Sequence, residues 1–126
     1  MNFRSETGKF GEDLACEFLI KRNYSVLQRN FRRPWGELDI VAKSPDGILT
    51  FIEVKTMRQS GNENFAELKP EDHLNSAKLR KLQRTTQMFT GQFPKLVDDK
   101  LGWRIDLIAI TLIPNQEQKI THYENI

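Results

Sequence analysis

The sequence predicts an α/β domain with a central mixed sheet flanked by helices, and three observations carry that expectation. An amphipathic segment opens the chain, three short strand-like stretches separated by turn residues follow, and a second amphipathic segment precedes a nearly continuous apolar run. The order reads α, β, β, β, α, β, with a further short edge strand expected at 120–123. The 126 residues and 38% hydrophobic content are those of one domain, 1–126, able to hold an ordinary core.

The first helix is expected from a Ser5 cap to about residue 22. Gly8, Phe10, Gly11, Leu14, Ala15, Phe18 and Leu19 fill one half of its wheel, and Lys9, Asp13 and Glu17 the other. Glu12 falls at the edge of the apolar half and Cys16 at the polar edge. A first strand at 24–31 ends in the turn-rich Arg32-Arg33-Pro34-Trp35-Gly36. Strands at 37–43 and 48–55 then form a hairpin around Ser44-Pro45-Asp46-Gly47.

If Gly47 closes a three-residue loop in the left-handed conformation, Ser44 pairs with Ile48 and paired residue numbers sum to about 92 throughout. That register sets Asp39 opposite Glu53 and Glu37 opposite Lys55 on one face. On the other it pairs Leu38 with Val54 and Ile40 with Ile52. A long polar loop is expected at 56–74, and a second helix from Asn75 or Ser76 to Thr90, ended by Gly91. The apolar run 101–113 reads as a strand buried on both faces.

Composition excludes several classes. Cys16 is the only cysteine, which rules out an internal disulfide and fits a reducing, cytoplasmic setting. The first residues lack an apolar signal core, and no apolar run approaches the ~20 residues of a membrane span. Secretion and membrane insertion are therefore not expected. There is no Gly-rich phosphate loop or dinucleotide fingerprint. His73 and His122 lack ligand spacing and read as surface or satisfied side chains.

The net charge of +2 identifies no partner, but its distribution is uneven. Lys78, Arg80, Lys81, Arg84 and Lys95 lie in a stretch from 73 to 97 that contains no acid. Lys78, Lys81 and Arg84 are therefore expected to face a polyanion. Arg32 and Arg33 supply a second basic turn, where Trp35 either stacks on an unpaired base or caps the core.

Asp39, Glu53 and Lys55 are the residues that point to chemistry. Carboxylate residues directly opposite on neighbouring strands have Cβ atoms roughly 5 Å apart and repel unless neutralised. A divalent cation neutralises them, and Mg²⁺ takes hard oxygen ligands from one or two carboxylates, with water and phosphate completing its shell. Lys55 shares the face of Glu53, and Glu12 offers a further carboxylate. The alternative is a solvated hairpin face on which Lys55 pairs with Glu37 or Glu53; the acid, acid and lysine together favour the site.

These residues also carry a resemblance. Gly8-x-x-Gly11-Glu12 with Ala15, Gly36-Glu37-Leu38-Asp39-Ile40 and Phe51-Ile52-Glu53-Val54-Lys55-Thr56 resemble the YraN family of small bacterial proteins. The likeness extends over nearly the whole chain, including Lys78, Lys81 and Arg104-Ile105-Asp106. It implies a restriction-endonuclease-like, PD-(D/E)XK fold with an αβββαβ core, distantly similar to archaeal Holliday junction resolvases. It further implies a Mg²⁺- or Mn²⁺-dependent DNA endonuclease acting on branched or other structured DNA.

In that reading Glu12, Asp39, Glu53 and Lys55 are the active-site residues. Asp39, Glu53 and the main-chain carbonyl of Val54 hold the metal, and Lys55 positions the attacking water. Leu38 stands where the superfamily name has proline, and Met57 interrupts the Lys-Thr-Arg order of relatives, so Arg58 is not carried over. A homodimer is compatible with the reading. The rival is a nucleic-acid-binding module, alone or within a repair or uptake complex, that keeps the residues and cuts nothing; a third option is an interaction domain without nucleic acid.

Overall fold

A computed structural model describes residues 6–59 and 68–126. The chain runs α1 (Glu6–Lys21), β1 (Ser25–Arg33), β2 (Gly36–Lys43), β3 (Leu49–Arg58), α2 (Pro70–His73), α3 (Ser76–Gln92), a 3-10 turn (Pro94–Leu96), β4 (Trp103–Leu112) and β5 (Lys119–Tyr123). One sheet takes all five strands in chain order. Its β3–β4 pair is parallel and the others are antiparallel, so the sheet is mixed. The parallel pair needs a crossover, which α2 and α3 supply. Among the described residues no helix is long and apolar enough to cross a membrane.

Two apolar layers sandwich the sheet. Ala15, Cys16 and Leu19 of α1 pack with Ile40, Ala42, Ile52, Ile108 and Ile110. Leu82 and Phe89 of α3 pack on the opposite side with Phe31, Leu38, Val41, Phe51 and Ile105. Phe89 meets Phe31 and Phe51 edge-on, at 5.1 and 5.3 Å between ring centroids. Asn75 caps α3 by accepting from the Lys78 N–H at 2.9 Å. Gly91 does not stop α3 as expected; the helix continues to Gln92 and ends at Phe93, because Pro94 disfavours helical geometry before it.

The buried stripe of α1 is rotated from the expected one. Gly11, Glu12, Ala15, Cys16 and Leu19 are buried, while Phe10 is exposed. The reason lies at Gly11, where an added Cβ would stand 1.8 Å from Thr56 Oγ1. The helix therefore makes its closest approach to β3 along Gly11 and Ala15, and their neighbours Glu12 and Cys16 turn inward. Arg58 fastens the same joint by donating to Thr7 Oγ1 at 2.7 and 3.1 Å. Replacing Gly11 by alanine should cost about 1–3 kcal/mol through overpacking, a fall in Tm of roughly 4–12 °C. An unchanged thermal melt would contradict this packing.

The hairpin register holds over its upper half. Gly47 has φ +87°, Ser44 N–H donates to the Ile48 carbonyl at 2.9 Å, and the ladder runs from Lys43–Leu49 to Ile40–Ile52. Beyond Ile40 the expected pairs are not made. Leu38 does not pair with Val54: it packs beside Phe31 on the α3 side, whereas Val54 packs on the α1 side.

The cause is Asn30, with φ +53° in the middle of β1. Residues i and i+2 of a regular strand share a face, yet Arg29 reaches Asp13 of α1 while Phe31 enters the α3 layer. Leu38, paired with Phe31, follows it. Glu37 likewise does not meet Lys55, and pairs with Arg32 at 2.9 Å. Residues 60–67 of the expected long loop, and the Ser5 cap, lie outside the described residues. On either side of 60–67, β3 continues to Arg58 against β4, and α2 forms a short turn of helix.

Candidate active site

The site lies where the β2–β3 ladder stops. There Val54 N–H donates to Asp39 Oδ2 at 2.9 Å, so a side chain takes the place of a main-chain partner. This bond holds the Asp39 carboxylate against β3, close enough to Glu53 for its charge to act on that side chain. The expected opposition of Asp39 and Glu53 is therefore present, reached through a side-chain bridge rather than a continued ladder.

Burial dominates the electrostatics of this pair. It raises the Asp39 carboxyl to about 6; the Val54 N–H opposes the rise, and the charge of Glu12 adds to it. Burial, then the charge of Asp39, raises Glu53 to about 8, with Lys78 opposing. Two facing carboxyls in these ranges retain about one proton between them at neutral pH. Glu12, 5% exposed on α1, acts on both by its charge.

Asp39 and Glu53 line a cavity of about 430 Å³ with Arg33, Trp35, Lys78 and Lys81. Glu37 also lines it, giving three acids and three bases around one space. Gly36 brings β2 close to α3, since a Cβ there would stand 2.2 Å from Thr85 Oγ1. That tight joint sets the lysines of α3 across from the carboxylates of β2 and β3.

The donor set suits a hard cation. Two half-buried carboxylates that repel when both are ionised have the oxygen chemistry Mg²⁺ and Mn²⁺ prefer, and the Val54 main chain adjoins them. Among the described residues no group of three or more His, Cys, Asp or Glu is placed to hold a metal ion. Asp39 and Glu53 would therefore need a carbonyl, water or substrate phosphate to complete a coordination shell.

Residues 11–110 match the family described as Uncharacterised protein family UPF0102. The chain belongs to UPF0102. It is 36% identical over 122 residues to the UPF0102 protein of Thermodesulfovibrio yellowstonii, covering 97% of this chain and 96% of that one. Over 125 residues it is 35% identical to the UPF0102 protein of Desulforamulus reducens, covering 97% and 95%. A shorter match to the UPF0102 protein of Campylobacter concisus is 45% identical over 82 residues, covering 65% and 66%.

The residues singled out in this UPF0102 chain do not all converge. Lys78, Lys81 and Arg33 line the cavity with the carboxylates, whereas Arg32, Arg84 and Lys55 do not. Arg32 is engaged by Glu37 and Asn30 at 2.9 Å each. Arg84 and Lys55 are exposed, and the charge of Lys55 bears on His73.

His73 departs from the expectation of a satisfied side chain: both ring nitrogens are buried with no hydrogen-bond partner among the described residues, and burial lowers its pKa. His122 does meet the expectation, contacting Asp106 at 2.8 Å. Glu37 shares the cavity with Asp39, as their positions two apart on one strand face predict, and is held there by Arg32 instead of Lys55. Cys16 is buried, which pushes its thiol up and argues against reactivity.

Proposed function

We propose that this protein is a metal-dependent DNA endonuclease that hydrolyses phosphodiester bonds with Mg²⁺ or Mn²⁺. The observation that carries the reading is the half-buried Asp39–Glu53 pair, sharing one cavity with Lys78, Lys81 and Arg33. The resemblance of the Gly36-to-Asp39 and Glu53-Val54-Lys55 segments to YraN proteins supports it. Asp39, Glu53 and the Val54 carbonyl would hold the ion. When bound, a divalent cation polarises the phosphoryl group and lowers the pKa of an attacking water.

The chain's own residues do the rest. With one proton shared by Asp39 and Glu53, three bases outweigh Glu37 and the singly charged pair; exchanging that proton for a divalent cation would make the cavity more positive still and favour a phosphodiester. Lys78 and Lys81 hold that phosphate from α3, and Arg33 holds it from the β1–β2 turn. Glu12 adds its negative charge to the field at the pair, which favours a cation. Lys55, assigned by the resemblance, orients the water from β3.

The test is a cleavage screen over linear and branched DNA with Mg²⁺ and Mn²⁺. Metal-dependent cleavage, lost in Lys55→Met while DNA affinity is kept, is expected for a group that acts in the transition state. The rival reading, a DNA-binding module without turnover, draws on the exposure of Lys55 and the absence of a third acidic ligand among the described residues. It takes over if no metal and no DNA give cleavage.

Phosphate contacts have a separate signature. Replacing Lys78 and Lys81 together by alanine should weaken binding to unrelated sequences alike and flatten log K against log salt by up to about two units. A slope equal to wild type would move the phosphate contacts off α3.

A further inference from the structure

Trp35 occupies a turn of two residues between β1 and β2, preceded by Pro34, which restricts the backbone. Its indole packs on Phe31 with centroids 5.6 Å apart, and Phe31 is wedged in turn against Phe89. The ring is therefore held by the core, yet it also lines the cavity of Asp39 and Glu53. Beside it the Arg33 guanidinium sits 4.3 Å from the centroid of the Phe31 ring and donates to the Arg32 carbonyl at 2.8 Å. An aromatic wall and a cation are thus pre-positioned on one side, with Lys78 and Lys81 also at the cavity.

The cavity, at about 430 Å³, is on the scale of one small ligand. Such a space is large enough for one nucleotide that has left its stack. We propose that the cavity takes one unpaired nucleotide next to the scissile phosphate, its base stacked on Trp35 and its phosphate held by Lys78 and Lys81. The substrate class is then DNA with a single-stranded segment at the cut. This rests on the hydrolytic reading for the cut itself, while the stacking site stands on the cavity and its aromatic wall. A base presents its π-face whatever its identity, so recognition would be by strandedness and not by sequence.

Of the two tryptophans in the chain, Trp103→Phe leaves Trp35 as the sole indole reporter. In that background, with Ca²⁺ replacing Mg²⁺, a short oligothymidylate should quench Trp35 fluorescence at concentrations where blunt duplex does not. In the otherwise wild-type chain, Trp35→Ala should weaken oligothymidylate binding roughly 5- to 150-fold while duplex affinity stays within about twofold. Trp35→Phe, which keeps a stacking ring on Phe31, should restore most of the loss. Absence of quenching, or equal loss of single-strand and duplex binding in both variants, would overturn the proposal. Quenching at Trp35 in a protein that cuts no DNA would overturn hydrolysis and uphold the stacking site. Equal cleavage of intact and gapped duplex, indifferent to Trp35→Ala, would uphold hydrolysis and overturn the unpaired-nucleotide requirement.

Discussion

Asp39→Asn and Glu53→Gln should each reduce metal-dependent cleavage about a hundredfold or more, since each removes a carboxylate from the charge that holds the cation. The same substitutions should stabilise the metal-free protein at pH 8. Both carboxyls have folded-state pKa values raised above the ordinary carboxylate range, to about 6 and about 8. The folded state then binds more protons than the unfolded chain. Their contribution to stability is full below about pH 4 and is lost as pH rises through both values.

Stability of the wild type should accordingly decline from pH 5 to pH 8, and the decline should be shallower in either variant. At pH 8 a gain of about 1–2 kcal/mol is expected, roughly 4–8 °C in Tm. Asparagine also keeps an oxygen for the Val54 N–H. A large fall in Tm for both variants at pH 8 would mean that the carboxylates hold the fold together instead of a ligand.

Asp106→Ala should have the largest effect on stability. Asp106 is fully buried on β4 and accepts from Arg104 Nε at 3.0 Å and the Asn125 N–H at 2.9 Å, with His122 Nε2 at 2.8 Å. Arg104 also donates to the Tyr24 hydroxyl at 2.8 Å, so the cluster joins α1's exit, β4, β5 and the C-terminal residues. Removing the carboxylate leaves a guanidinium and an imidazole facing one another without their shared acceptor. Breaking a buried charged pair in this way costs about 3–5 kcal/mol, or roughly 12–20 °C in Tm. Asp106→Asn, which retains an acceptor, should lose less. A melt of Asp106→Ala within a few degrees of wild type would show that water replaces the carboxylate freely.

These two carboxylate sites differ in how far the sequence announced them. Asp39 and Glu53 were legible because Gly47 and the alternation of Ile40, Ala42, Thr50 and Ile52 define one register, and any other would bury charge. Past Ile40 the pattern misleads, since nothing in Asn30 as a residue type announces that it will take φ +53° and turn Phe31 and Leu38 to the other layer. Glu37 and Lys55 were mispaired for that reason.

Of the Asp106 cluster, strand alternation shows only Arg104, two residues away on the same face. Its other members come from β5 and the last residues, whose seating beside β4 depends on contacts distant in the chain. Glu12 is a third case: helical periodicity put it at the edge of the apolar arc, and only the contact of Gly11 with Thr56 turns it inward. Local periodicity therefore located the elements and half the hairpin, while close approach of backbones decided which charges meet.

The sharing of one divalent cation by Asp39 and Glu53 is the claim on which the rest depends, and calorimetric titration with Mn²⁺ at pH 7 tests it most directly. Run in two buffers of different ionisation enthalpy, the wild type should bind Mn²⁺ with release of about one proton, the one the pair retains at that pH. Asp39→Asn and Glu53→Gln should each abolish the binding while remaining folded. Mn²⁺ binding of unchanged affinity in both variants would contradict the account.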